Sequence, residues 1–149
     1  MSWSQRFSSL ISNEDMTVGI IGLGYVGLPT AIGFHDAGFT VWGVDVSQRT
    51  VDMVKAGENP TGDPDVDDII PAPGTERWNI TTSTAEAVPH CDVVLVTVPT
   101  PITVDLKPDL SYVEAAGRAV FEAIPKESKT IVVLESTVYP GVTAQTWMP

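Results

Sequence analysis

Short apolar runs alternate along the chain with stretches whose apolar residues recur every three or four positions. The runs at 18–21, 40–44, 79–82, 93–98 and 130–134 are rich in β-branched residues and predict strands. Two of them, within DVVLVTV (92–98) and TIVVLE (130–135), are almost continuously apolar, which suits strands covered on both faces. Helical spacing occupies 25–37, 48–55, 84–88 and 111–124, and a shorter amphipathic stretch lies at 5–11. In DLSYVEAAGRAVFEAI, Ser111 with Glu114 three residues later reads as an N-cap, with Val113, Ala116, Val120 and Ile124 on one face. Gly38 reads as the C-cap of the helix before the second strand. Alternation of this kind predicts an α/β fold, a Rossmann-type doubly wound parallel sheet of order 3-2-1-4-5. Residues 17–149 would form that domain and residues 1–16 an N-terminal arm or short helix. The stretch 57–78 carries four prolines and three glycines and predicts a long surface loop; 99–110 links the fourth strand to the last helix.

The first strand runs into Gly22, Gly24 and Gly27 where a helix begins. Glycine weakens a helix interior by about 1 kcal/mol per position relative to alanine, so three together need a compensating reason. The spacing is G-x-G-x-x-G, with a strand before it and a helix after it. An acidic residue, Asp45, ends the next strand 18 residues beyond Gly27. That is the dinucleotide-binding pattern. Gly22 would permit the tight turn, Gly24 the approach of a pyrophosphate to the backbone, and Gly27 close helix–strand packing. Unpaired N–H groups at the helix start would hold the phosphates. A carboxylate at Asp45 would bond the adenosine ribose and repel a 2′-phosphate, favouring NAD over NADP; it could equally cap the helix before Gln48. Pro29 would crowd the carbonyl of Tyr25 and distort the first turn slightly.

Composition narrows the partners. A net charge of −11 argues against a nucleic-acid backbone or an anionic membrane surface. No apolar run approaches the ~20 residues of a membrane span, and the first residues lack the pattern of a secretory signal. A single cysteine, Cys91, excludes an internal disulfide, and the cytoplasm is the expected compartment. Part of the negative charge lies in GDPDVDD (62–68), which lacks a metal-loop spacing and reads as a solvated loop. Cys91 precedes a buried strand and reads as core packing; His35 and His90 read as solvated.

Four segments carry a resemblance: GIIGLGYVGLPTA (19–31), DVVLVTVPTPI (92–102), PDLSYVEAAGRAV (108–120) and VVLESTVYPGVT (132–143). In this order the chain resembles the NAD-binding domain of the nucleotide-sugar 6-dehydrogenases, the UDP-glucose/GDP-mannose dehydrogenase family. VPTP, PDLSYV and ESTVYPG resemble most the UDP-N-acetylhexosamine branch, acting on the glucosamine or mannosamine sugar; the UDP-glucose branch usually carries a lysine at Glu135. The resemblance implies oxidation of the sugar C6 alcohol to a carboxylate by two NAD in succession, through an aldehyde and a cysteine thioester. It places Gly22, Leu23, Gly24, Tyr25, Val26 and Gly27 at the pyrophosphate, and Asp45 and Val46 at the ribose. Arg49 stands one place before the position where the family usually has a basic residue, here Thr50. Val98, Pro99 and Thr100 would lie against the cofactor. Thr137 would sit near the nicotinamide as a catalytic residue holding the hydrolytic water, or else cap the next helix. Glu135 would face the substrate or cap the turn. The family's catalytic lysine, asparagine and cysteine belong to later segments, so these residues alone are expected to be inactive. The alternatives are a free-standing NAD-binding module and the same domain of a UDP-glucose 6-dehydrogenase. An apolar edge strand at 130–134 predicts a homo-oligomer, with Trp147 near the contact.

Overall fold

In the computed structural model, residues 2–12 and 15–147 are described. Five strands form one parallel sheet: β1 (Thr17–Ile21), β2 (Thr40–Val44), β3 (Trp78–Thr81), β4 (Val93–Val96) and β5 (Ile131–Leu134). Their order is β3-β2-β1-β4-β5, and each neighbouring pair is parallel, as the alternation of strand and helix patterns predicts. The helices are α1 (Trp3–Ser12), α2 (Gly27–Asp36), α3 (Gln48–Lys55), α4 (Thr84–Ala87) and α5 (Ser111–Ala123). Successive strand residues point to opposite faces, so each strand feeds two cores. Val18, Ile20, Val41 and Leu95 join Leu28, Ile32, Val51 and Val54 of α2 and α3 on one face, with Phe7 and Leu10 of α1 packed against them. Ile21, Val44, Val94 and Val96 face Ala87, Val88 and Val120 on the other. Full burial of side chains such as Val18, Ile20 and Leu28 contributes about 1.5–3 kcal/mol each before entropy is counted.

Helix ends explain most departures from the predicted boundaries. Helix α2 starts at Gly27 rather than residue 25, because the chain from Gly22 to Val26 is spent on the turn. Pro29 is therefore the third helical residue, where its missing N–H leaves the Tyr25 carbonyl without its usual partner. At the other end Gly38 N–H reaches His35 O (2.9 Å) and Phe39 N–H reaches Phe34 O (3.1 Å), with the two phenyl rings edge to face. That is a Schellman ending around Gly38. Ser111 is not an N-cap: it is the first residue of α5, and the Asp109 carboxylate accepts its N–H at 2.9 Å. Those bonds from the Ser111 hydroxyl and amide hold the Asp109 carboxyl below its usual range. Ser47, not Asp45, caps α3 by accepting Thr50 N–H.

The stretch after α3 is the expected surface loop, with Gly62, Asp65, Asp67 and Asp68 exposed, but it is pinned to the fold. Val66, in a short 3₁₀ turn (Pro64–Val66), is buried in the first core, and the Asn59 amide donates to Asp63 O and to the Asp67 carboxylate. His35 is not solvated either. Its ring is 12% exposed, lies edge-on to Trp78 and has Nε2 3.1 Å from Glu76 O. His90 is exposed but stacks face to face on Trp42, 5.0 Å between centroids. Strand β5 is an edge of the sheet, its residues only half-buried. Trp147 packs within the chain, over Gly117 and edge-on to Phe121. No helix among the described residues is long and apolar enough to cross a membrane.

Candidate functional site

The strands end level. Ile21 pairs with Val44 on one side and with Val96 on the other, and Val96 pairs with Leu134. The chain leaving β1 thus emerges where the winding of the sheet reverses, the position at which open α/β sheets bind ligands. There Gly22 adopts φ +99°, and a Cβ would meet Thr97 O at 2.9 Å. Gly27 lies so close beneath the turn that a Cβ would collide with the Gly22 carbonyl and come within 2.5 Å of Thr97 Oγ1. Gly24 differs: nothing lies within 4 Å of its Cβ position, and it lines the hollow above the strand ends. The amides of Gly24, Tyr25 and Val26 donate to no acceptor among the described residues. The turn therefore presents a row of free N–H groups beside an open space, which suits an anion.

Two side chains hold the turn in this shape. Thr97, buried at the end of β4, has Oγ1 at 2.8 Å from Gly22 O and 3.1 Å from Ile21 O. Asp45, half-buried, accepts Leu23 N–H through one oxygen and Ser47 N–H through the other, both at 2.9 Å. Each oxygen keeps a further lone pair for a ligand. Thr97 was not singled out by the sequence; the signal available was a threonine ending an otherwise apolar strand opposite a glycine turn.

Two hollows flank the turn. The first, of about 340 Å³, is lined by Gly22, Gly24, Tyr25, Val26 and Asp45 on one side. Thr97, Val98, Pro99 and Thr100, with Glu135, Ser136 and Thr137, close the other. The second, of about 250 Å³, adds Val46, Tyr112, Ala115, Ala116 and Ala119 as an apolar slot beside Asp45. Ten of the predicted site residues therefore meet at one crevice: Gly22, Gly24, Tyr25, Val26, Asp45, Val46, Val98, Pro99, Thr100 and Thr137. Leu23 and Gly27 sit in the turn but line neither hollow: Leu23 is buried and Gly27 faces the strands. Arg49 is exposed on the first turn of α3 and lines neither hollow. Within EST, Ser136 serves the fold, because its hydroxyl donates to Val98 O at 2.8 Å and ties the ends of β4 and β5. Thr137 caps no helix. It lines the hollow with its hydroxyl bonded to nothing among the described residues. Tyr25, Val26 and Val46 are 69%, 59% and 95% exposed, so the rim offers apolar surface.

Cys91 is excluded from this crevice. It precedes β4, at the opposite end of the sheet from the crevice, and its thiol donates to Ala87 O at 3.3 Å. Burial, with the Asp92 carboxylate next to it, pushes the thiol pKa up to about 12.

Residues 16–149 match the NAD binding domain of the UDP-glucose/GDP-mannose dehydrogenase family. Over 129 residues the chain is 38% identical to an NDP-N-acetyl-D-galactosaminuronic acid dehydrogenase of Ralstonia nicotianae, covering 87% of this chain and 29% of that protein. It is 38% identical over 127 residues to the UDP-N-acetyl-D-mannosamine dehydrogenase of Escherichia coli, covering 85% and 29%. Among solved structures, a GDP-mannose dehydrogenase from Pseudomonas aeruginosa superposes with a TM-score of 0.84 at 34% identity, over 90% of this chain and 31% of the other. A UDP-D-ManNAc dehydrogenase from Pyrococcus horikoshii gives 0.77 at 32% identity, over 88% and 31%. The chain spans about three-tenths of the length of the curated relatives it matches. Glycine turn, acidic strand end and crevice all fall inside the matched region, and the chain belongs to the UDP-glucose/GDP-mannose dehydrogenase family, as its NAD-binding domain.

Proposed function

We propose that residues 17–149 bind NAD across this crevice and serve an enzyme that oxidises the C6 alcohol of a UDP-N-acetylhexosamine to the uronate, two NAD being reduced in succession. The observation that carries the reading is the glycine turn itself, with free amides at Gly24, Tyr25 and Val26 and open space over Gly24. The pyrophosphate would take those amides, Asp45 the adenosine ribose, and the apolar slot of Val46, Tyr112 and Ala115 the adenine. When bound, the cofactor supplies the hydride acceptor. Thr100 and Thr137, at the ends of β4 and β5, would line the nicotinamide half, with Thr137 free to hold a water or the sugar oxygen. Arg49, exposed on the first turn of α3 and outside both hollows, would have to reach the adenosine through its long side chain. The names of the relatives favour N-acetylmannosamine or an N-acetylgalactosamine derivative over N-acetylglucosamine. The protein would work in the cytoplasm as a homo-oligomer.

A thioester step needs an accessible thiolate, and Cys91, the chain's one thiol, is buried at the wrong end of the sheet with its proton firmly held. These residues alone should therefore bind NAD and turn over no UDP-sugar. Titration calorimetry with NAD and a continuous assay for NADH with UDP-N-acetylmannosamine test both halves. Absence of NAD binding, or steady NADH formation lost in Cys91→Ser, would refute the reading.

A further inference from the structure

The first hollow has an uneven charge. Its residues include no lysine, arginine or histidine, and its carboxylates are Asp45 and Glu135. Asp45 lies at the end of β2, beside the apolar slot, and is engaged by two backbone amides. Glu135 lies on the other side of the glycine turn, directly after β5. Its backbone is fixed by its N–H to Val96 O at 2.9 Å, so the residue is anchored at the strand end. Its carboxylate is exposed and, among the described residues, has no ion pair and no hydrogen bond.

An extended dinucleotide with its pyrophosphate on the turn and its adenosine at Asp45 must send its other end over β4 and β5. That end carries the nicotinamide. The oxidised ring bears one positive charge, and the reduced ring bears none after two electrons and one proton have arrived as hydride. A carboxylate carried at that strand end therefore distinguishes the two redox forms by charge. We infer that Glu135 biases the site toward NAD+ over NADH, holding the reactant form and easing release of the reduced product. This rests on the proposed orientation of NAD in the crevice. Glu135 is a selectivity residue, acting through its field. Thr137, two residues on, is the group placed to touch the reacting atoms.

The size of the effect follows from its exposure. Unit charges about 6 Å apart in a largely aqueous environment interact enough to change a ratio of affinities about threefold, and salt reduces it. Glu135→Gln removes the charge and keeps the shape; Glu135→Lys reverses it. Glu122→Gln, on the exposed side of α5 and outside both hollows, makes the same change in net charge as Glu135→Gln and controls for the general field of this acidic chain. Calorimetric Kd values for NAD+ and NADH, measured separately at low and high salt, give the ratio of Kd for NADH to Kd for NAD+. The expected result is a fall of about threefold in Glu135→Gln, a further fall in Glu135→Lys, compression of both at high salt, and no change in Glu122→Gln. Equal loss of both forms in the Glu135 variants, an unchanged ratio, or an equal effect from Glu122→Gln would overturn the inference while leaving the cofactor site intact. Failure of the unaltered chain to bind either form would instead overturn the proposed site, and this inference with it.

Discussion

Alanine at each of the three turn glycines should separate the glycine kept for a ligand from the two kept for the fold. Gly22→Ala places a Cβ on a residue at φ +99° and against Thr97 O at 2.9 Å. The left-handed conformation alone costs about 1–2 kcal/mol, and the crowding adds to it. Gly27→Ala drives a Cβ into the Gly22 carbonyl, which Thr97 Oγ1 pins at 2.8 Å. Overpacking against fixed backbone costs about 1–3 kcal/mol or more, and the gain in helix propensity returns only about 1. Both variants should lose roughly 2 kcal/mol, or about 4–8 °C in Tm for a chain of this size. Gly24→Ala meets nothing within 4 Å and has no positive φ. It should keep the parent's Tm or gain about 0.4–1 kcal/mol by stiffening the unfolded chain. Its methyl group, however, stands where the pyrophosphate must approach. NAD affinity should fall about tenfold or more, the equivalent of crowding by 1–3 kcal/mol. Thermal melts and NAD calorimetry on the three variants make the comparison. Gly24→Ala melting with the other two, or binding NAD like the parent, would refute this division of labour within the turn.

Other consequences follow from single contacts. Asp45→Asn should narrow the preference for NAD over NADP and cost about 1 kcal/mol, because its NH2 group donates where one of the two carboxylate oxygens accepted Leu23 or Ser47 N–H; calorimetry with both cofactors and a melt check it. Burial raises the Cys91 pKa to about 12, so the unfolded chain releases this proton first and stability should be lost as pH rises from the usual thiol range toward 12. Cys91→Ala should flatten that decline in chemical denaturation series, and the native thiol should resist alkylation at neutral pH. The half-buried edge strand β5 should support self-association that tightens with salt, as screening relieves the repulsion of a chain carrying −11. Sedimentation across a salt series tests this, and a monomer throughout would count against the homo-oligomer.

How much of this is readable from the sequence depends on whether a feature is local. Strand order follows from the alternation of apolar runs and helical spacing, since a parallel sheet needs crossovers and their hand is nearly invariant. Gly22, Gly24, Gly27 and Asp45 carry their meaning in spacing alone. Thr97 does not, because its bond to Gly22 joins residues 75 apart in sequence and only the sheet brings them together. The same holds for Ser136, whose hydroxyl ties two loops, and for His35, whose place against Glu76 and Trp78 depends on how the long loop after α3 returns. Ser111 departs from expectation for a different reason. The motif Ser-x-x-Glu is present, but Asp109 two residues earlier offers a carboxylate acceptor and takes the amide instead.

Where NAD sits can be read residue by residue from amide chemical-shift mapping during an NAD titration. The largest shifts should cluster at Gly22, Leu23, Gly24, Tyr25 and Val26, with further shifts at Asp45, Thr100 and Thr137. Cys91, Asp92 and Lys129, at the opposite end of the sheet, should stay still. Shifts centred on that opposite end, or a glycine turn unmoved at saturating NAD, would put the cofactor somewhere other than this crevice.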